Sequence, residues 1–325
     1  MSKAAELAAL IGSQSARGYK NRIINGSMDI AQRGSSHTTE GYGSLDRYYL
    51  ALSGASGVTM SQQAFSTADR NSLGFEKYLK LAVTTANNNC GVYQYIEASN
   101  AVSLIGNKAT LSFYAKGTNP AGGSFTMQPA WYNKSSGGGD NAVAQSLTVT
   151  SSWVKYSFTF DIPAPANTVI DNNAYLSHSF AQPSGDTSTT AWELNLAGLQ
   201  FEAGEVATPF EHEDIGTTLA KCSRYYTDIV RADNQTAHLV GYVQATTVAR
   251  FGFHVPMRAS PTITETNFNI LYAGGSEEAI TSVDDIFQDN QFLSFRAVVS
   301  GNLTVGQAVA LYSAGAARFA FDAEL

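Results

Sequence analysis

The stretch WVKYSFTFDIP, residues 153–163, decides the fold class. Val154, Tyr156, Phe158 and Phe160 occupy every second position, with Lys155, Ser157 and Thr159 between them. Successive side chains of a strand point to opposite faces, so this period of two describes a sheet with one dry and one wet face. Pro163 and Pro165 lack the N–H that a ladder needs and end the strand.

The same rhythm recurs on both sides of that stretch. Strands are expected at 45–52, 58–65, 77–84, 91–96, 108–116, 125–131, 144–150, 174–180 and 192–201, separated by turns rich in Gly, Asn, Ser and Pro. Earlier, a short β segment at 22–24 is followed by Asn25-Gly26, a hairpin signal, and by Met28 and Ile30 in strand alternation. Asp46 and Arg47 interrupt an apolar strand beside Tyr48 and Tyr49, which reads as a structural charge pair.

Past Gly204 the chain passes through an acidic, Pro-containing turn into a short helix at 217–226. Leu219 and Cys222 share a face of that helix, and Tyr225 and Tyr226 are expected to dock it between two domains. Strand patterns resume at 238–244, 248–254, 262–266, 268–272, 292–299, 308–312 and 318–321. At the start, residues 3–11 form a helix pattern with Leu7, Leu10 and Ile11 on one side, Ser2 as N-cap and Gly12 as stop.

The expected fold is therefore all-β. An antiparallel jelly-roll sandwich is followed by a smaller β-sandwich domain, with a short N-terminal helix and a short inter-domain helix. The expected divisions are 1–20 as anchor or trimerisation segment, 21–214 as jelly roll, 215–228 as connecting helix and 229–325 as C-terminal β-domain.

Composition narrows the function. Charged residues are only 14% of the 325, and the net charge is −7. No Lys/Arg run offers the basic footprint of a nucleic-acid groove, so nucleic acid is excluded as a partner. No apolar run is long enough to cross a bilayer, and the first residues are too weakly apolar for a signal peptide. Cys90 and Cys222 are far apart and read as two buried thiols.

No Gly-x-Ser-x-Gly elbow and no His-Glu-x-x-His pattern is present, and the five histidines are scattered, so no catalytic residues are assigned. Glu202, Glu205, Glu211, Glu213 and Asp214 cluster on one connector, whereas a glycosidase needs carboxylates facing each other across a cleft. Their expected role is a solvated turn. The alternative is calcium, a hard ion that gathers oxygen ligands, with Asp29 and Glu202 as candidate ligands. The aromatic residues Tyr93, Tyr95, Trp131, Tyr132 and Trp192 are the candidates for stacking on sugar rings. Two polar tips, 134–141 and 182–190, are loop-end surfaces.

Three motifs carry a family resemblance. NRIINGSMDIAQRG (21–34) followed by LDRYY (45–49), SSWVKYSFTFDIPA (151–164) and LAGLQFEAGEVATPFEHEDIGTTLAKCSRYY (196–226) resemble tailed-phage tail fibre and receptor-binding proteins. FHVPMRASPTIT (253–264) and FDAEL (321–325) resemble the C-terminal modules of such proteins. Phe201, Ala31 and Ser223 stand where the family commonly has Leu, an aromatic residue and Gln.

The resemblance implies a carbohydrate-module-like jelly roll in a homotrimeric virion tail component. Such a protein joins other tail proteins through its N-terminal segment and attaches to host polysaccharide or lipopolysaccharide without being an enzyme. A structural adaptor or capsid-decoration protein, and a polysaccharide depolymerase, are the alternatives.

Overall fold

The computed structural model describes residues 19–85, 89–182, 190–231, 237–254, 257–272, 275–288 and 292–325. The expected helix at 3–11, most of the 182–190 tip and Pro256 lie outside these residues. The regular structure of the described chain is nearly all β, and the chain divides into two compact units, 1–218 with 325, and 219–324.

The first unit opens with β1 (Ser36–His37), β2 (Tyr49–Leu52), β3 (Ser56–Ala64), helix α1 (Thr67–Leu73), β4 (Lys77–Thr85) and β5 (Cys90–Glu97). Helix α2 (Ala98–Ala101) leads to β6 (Lys108–Thr118), β7 (Phe125–Met127), β8 (Ala130–Asn133), β9 (Asp140–Asn141) and β10 (Gln145–Leu147). β11 (Val154–Asp161), β12 (Ala174–Ala181) and β13 (Trp192–Ala203) complete it. One sheet has the order β1-β3-β4-β13-β6-β11. The other has β10-β7-β12-β5-β2, with β8 and β9 attached to β12. Every pairing is antiparallel, as the jelly-roll expectation requires.

Cross-strand rows show why these residues close a sandwich. Met60, Leu81 and Leu194 lie side by side across β3, β4 and β13, and all three are fully buried. From the opposite sheet, Leu50, Val92, Ile96, Leu176 and Phe180 enter the same core. Apolar rows on two facing sheets exclude water together, which is the main stabilising term of such a fold.

The segment before β1 departs from the sequence reading. Residues 21–30 contain no strand, because Asn25 (φ 60°) and Met28 (φ 65°) turn the backbone out of the extended region. Side chains satisfy the backbone instead. Asn25 Nδ2 donates to the Ile30 carbonyl at 2.8 Å, Asn25 Oδ1 accepts from Ile30 N at 3.0 Å, and Gln94 bonds both the N–H and the carbonyl of Ile24. Gly26 runs against β13, where any Cβ would lie 2.2 Å from the Leu199 carbonyl oxygen. Likewise only residues 49–52 of the expected 45–52 strand are extended, since Arg47 has φ 73°.

Helix α3 (Ile215–Ser223) follows the connector. The second unit contains β14 (Tyr226–Arg231), β15 (Ala237–Ala245), β16 (Val248–His254), β17 (Thr262–Tyr272), β18 (Ser276–Ala279), β19 (Ser282–Gln288), β20 (Phe292–Val298) and β21 (Ala308–Asp322). They form one antiparallel network, β18-β17-β21-β15-β16-β20-β19, with β14 also on β21. Ile280 N donates to Phe268 of β17 and Thr281 N to Val298 of β20, strands near opposite ends of that order. The sheet therefore curls until its edges meet, enclosing Phe251, Phe268, Phe295, Phe319 and Phe321.

Two pairs of expected short strands are single long ones. β17 spans 262–266 and 268–272 with a bulge at Asn267 (φ 58°), and β21 spans 308–312 and 318–321. Tyr226, expected at the end of the helix, is the first residue of a strand. It opens β14, donates to Asp228 Oδ2 at 3.0 Å and accepts from Arg318 at 2.6 Å, so it ties β14 to β21. Among the described residues no helix is long and apolar enough to cross a membrane.

Candidate functional site

The sheet β10-β7-β12-β5-β2 turns one face to the core and the other outward. In β5, Val92 and Ile96 are core residues, so Tyr93 and Tyr95 face away from it. The same parity puts Tyr49 of β2, Tyr132 of β8 and Tyr175 of β12 on the outward face. Register then makes them neighbours: Tyr49 pairs with Tyr93, and Tyr175 with Tyr132.

The result is a continuous tyrosine platform. Ring centroids are 5.2 Å apart for Tyr42–Tyr49, 5.6 Å for Tyr49–Tyr95, 4.7 Å for Tyr95–Tyr175 and 6.1 Å for Tyr175–Tyr132. Tyr93 joins it 6.3 Å from Tyr95. The rings are half-buried at Tyr42, Tyr49, Tyr93, Tyr95 and Tyr175 and exposed at Tyr132. Edge-to-face and tilted contacts at these distances hold each ring by its neighbours.

The Asp-Arg element supports the platform from beneath. Arg47 is buried, and its guanidinium donates to the Tyr95 carbonyl at 2.5 Å. Asp46, also buried, accepts from the backbone and side-chain N–H groups of Gln32. Burial raises the phenol pKa of Tyr49, Tyr93, Tyr95 and Tyr175. For Tyr49 the Glu40 carboxylate adds to the effect. These hydroxyls therefore stay protonated and able to donate.

Beside Tyr93 the face sinks into a cavity of about 330 Å³. Small residues, Ala51, Gly91 and Ala181, leave room along its floor. Asn89, Gln128 and Gln182 supply amides, and Ser53, Thr126 and Ser179 supply hydroxyls. Cys90 also contributes, but burial pushes its thiol up to about 12, so it is neutral and unreactive. Glu40 stands at the rim and accepts from Tyr49 Oη at 3.2 Å. A larger cavity, about 500 Å³ and lined by 106–108, Asp161 and 203–205, contains no aromatic ring, and its Lys108 is paired with Asp161 at 2.9 Å.

Of the five aromatic candidates, Tyr93, Tyr95 and Tyr132 lie on this face. Trp131 and Trp192 do not. Trp131 has no exposed surface and Trp192 has 3%, and both belong to the core, Trp192 edge-on to Phe125 at 5.1 Å. One step of strand parity separates Trp131 from Tyr132 and decides the difference. Tyr49 and Tyr175 were missed because β2 and β12 look like ordinary half-buried strands alone. Only the order β2-β5-β12-β8 brings their tyrosines together.

The acidic connector is solvated in part: Glu205 and Asp214 are exposed, Glu211 and Glu213 half-buried. Glu202 is buried, and its carboxylate accepts from Gln200 Nε2 at 2.9 Å, Thr208 N at 2.8 Å and Thr208 Oγ1 at 2.7 Å. Glu211 accepts from the backbone of Lys20 and Asn21, each at 2.9 Å. Asp214 caps α3 by accepting from Gly216 N at 2.9 Å.

These bonds make Glu202 the closure of the turn at Thr208. Among the described residues no group of three or more His, Cys, Asp or Glu is gathered for a metal. Asp214→Ala is expected to cost about 1 kcal/mol, the usual loss for an N-cap. A urea midpoint unchanged from the parent protein would contradict the capping role.

No protein-family model and no curated sequence matches the chain. Solved structures with similar folds include the enzymatically active domain of bacteriophage CBA120 tailspike protein 4, at 17% identity and TM-score 0.38. That match covers 57% of this chain and 22% of the tailspike chain, so this chain spans less than a quarter of it. The family 11 carbohydrate-binding module of the Clostridium thermocellum cellulase Lic26A-Cel5E matches at 12% identity and TM-score 0.33, over 54% of this chain and 98% of the module. TmCBM61, solved with β-1,4-galactotriose, matches at 8% identity and TM-score 0.30, over 57% of this chain and all of that one (100%). At such identities the chemistry of the site is read from its own residues.

Proposed function

We propose that the first domain is a non-enzymatic glycan-binding module of a tailed-phage tail fibre or receptor-binding protein. The tyrosine platform carries the glycan half of this reading. Partly exposed rings, fixed by their neighbours, present apolar faces to the C–H surfaces of sugar rings. The amides and hydroxyls of the adjoining cavity suit the sugar hydroxyls, which need both donors and acceptors. The motifs at 21–34, 45–49, 151–164 and 196–226 support the phage half. In this reading the protein is a homotrimer whose N-terminal segment attaches to other tail proteins.

Tyr95 has ring contacts with Tyr49, Tyr93 and Tyr175, so it is the residue to remove. Tyr95→Ala is expected to weaken retention by host surface polysaccharide roughly 10- to 100-fold, the range for losing a central aromatic anchor. Loss of three ring contacts should lower its unfolding midpoint, yet the variant should remain folded under the assay conditions. The parent protein should also release no new reducing ends from the polysaccharide. Unchanged retention by Tyr95→Ala would overturn the site, and new reducing ends would replace binding by depolymerisation.

A further inference from the structure

We infer that the cavity beside Tyr93 selects neutral glycans and refuses anionic ones. This deepens the proposed function and rests on it. The inference comes from the charge of the cavity, which the stacking argument does not use.

Among the described lining residues Glu40 is the only Asp, Glu, Lys, Arg or His. Cys90 stays a thiol and Tyr93 a phenol, because burial raises both pKa values. The remaining polar lining is amide or hydroxyl, and no Lys or Arg contributes.

Nearby cations are committed elsewhere. Arg47 is buried against the Tyr95 carbonyl, and the Arg33 guanidinium lies 5.4 Å from the Tyr42 ring rather than among the lining residues. A uronate or sialate carboxylate, or a phosphate, entering this cavity would lose water and find no counter-charge. It would also meet the Glu40 carboxylate at short range. A neutral sugar meets none of these penalties, and Glu40 can accept its hydroxyls in strong, charge-assisted bonds.

The test is affinity electrophoresis of the full chain through gels containing either neutral or anionic polysaccharide. The neutral set is mixed-linked β-glucan, galactan and carboxyl-reduced host polysaccharide. The anionic set is polygalacturonate, hyaluronan and the unreduced host polysaccharide.

The expected result is tyrosine-dependent retardation by at least one neutral polymer, and retardation at least about tenfold weaker by every anionic one. Glu40→Gln keeps the acceptor for Tyr49 and removes the charge. It is expected to narrow that gap several-fold at low salt, leaving Tyr49 ring packing intact. Tyrosine-dependent retardation by an anionic polymer equal to or above that by the neutral ones would overturn the inference while leaving the platform standing. An unchanged gap in Glu40→Gln would overturn the role given to Glu40. Retardation by no polymer, or retardation that Tyr95→Ala does not reduce, would sink the proposed function and this inference with it.

Discussion

Lowering the pH from 7 to 4 is expected to remove about 3 kcal/mol of stability through His178 alone, and His178→Leu to abolish that component. His178 lies in β12 with its ring in the sandwich core, edge-on to Phe180 at 5.0 Å and stacked on Phe201 at 5.8 Å. Neither ring nitrogen has a hydrogen-bond partner. Burial pushes its pKa from 6.5 down to about 3, because a charged imidazolium there would lose its hydration for nothing.

The folded state therefore holds the ring neutral while the unfolded chain protonates it below its ordinary pKa. The contribution of neutral burial is fully present above pH 6.5. It falls by roughly 1.4 kcal/mol for each pH unit below that, and levels off near the folded value of about 3. Carboxylates titrate in the same range, so the measurement is the difference between parent and His178→Leu in urea unfolding at each pH. Parallel losses in the two proteins between pH 6.5 and 4 would refute the assignment. At pH 7 the variant should be at least as stable as the parent, since it removes two unsatisfied buried nitrogens.

Trp131→Ala is expected to cost about 3–5 kcal/mol, and Tyr132→Ala less than about 1 kcal/mol. The two residues are adjacent in β8, yet Trp131 pairs with core residue Leu176 and Tyr132 with platform residue Tyr175. Removing the indole leaves a cavity among side chains that have no exposed surface, and surrounding strands relax only partly around it. Removing the Tyr132 ring uncovers surface that is already 37% exposed. Chemical denaturation of both variants separates the roles. Equal losses would mean that the strand parity assigned to β8 is wrong.

These residues show what the sequence could disclose. Alternation at 154–160 described a one-sided strand, and the all-β sandwich followed from the repeated strand-and-turn rhythm around it. Alternation could not say which face of β8 looks inward, because Trp131 and Tyr132 are both aromatic and differ only in parity. The tyrosine platform was illegible for another reason. It is assembled from β2, β5, β8 and β12, and strand order is a property of the folded sheet rather than of any window. The connector misled in a third way. Glu202 looks like a solvent-facing acid until the backbone N–H of Thr208 is found donating to its buried carboxylate.

Strand β21 comes last in the second unit and bonds β14, β15 and β17. Those three are made earlier, and none of them has a pairing to either of the other two. During synthesis they therefore wait as unmatched edges until the final strand emerges and joins them. Such distant pairings make assembly slow and leave apolar edges exposed to neighbouring chains meanwhile. The order in which the ribosome delivers this unit thus works against its folding, and a chaperone has the most to protect in the interval before Ala308.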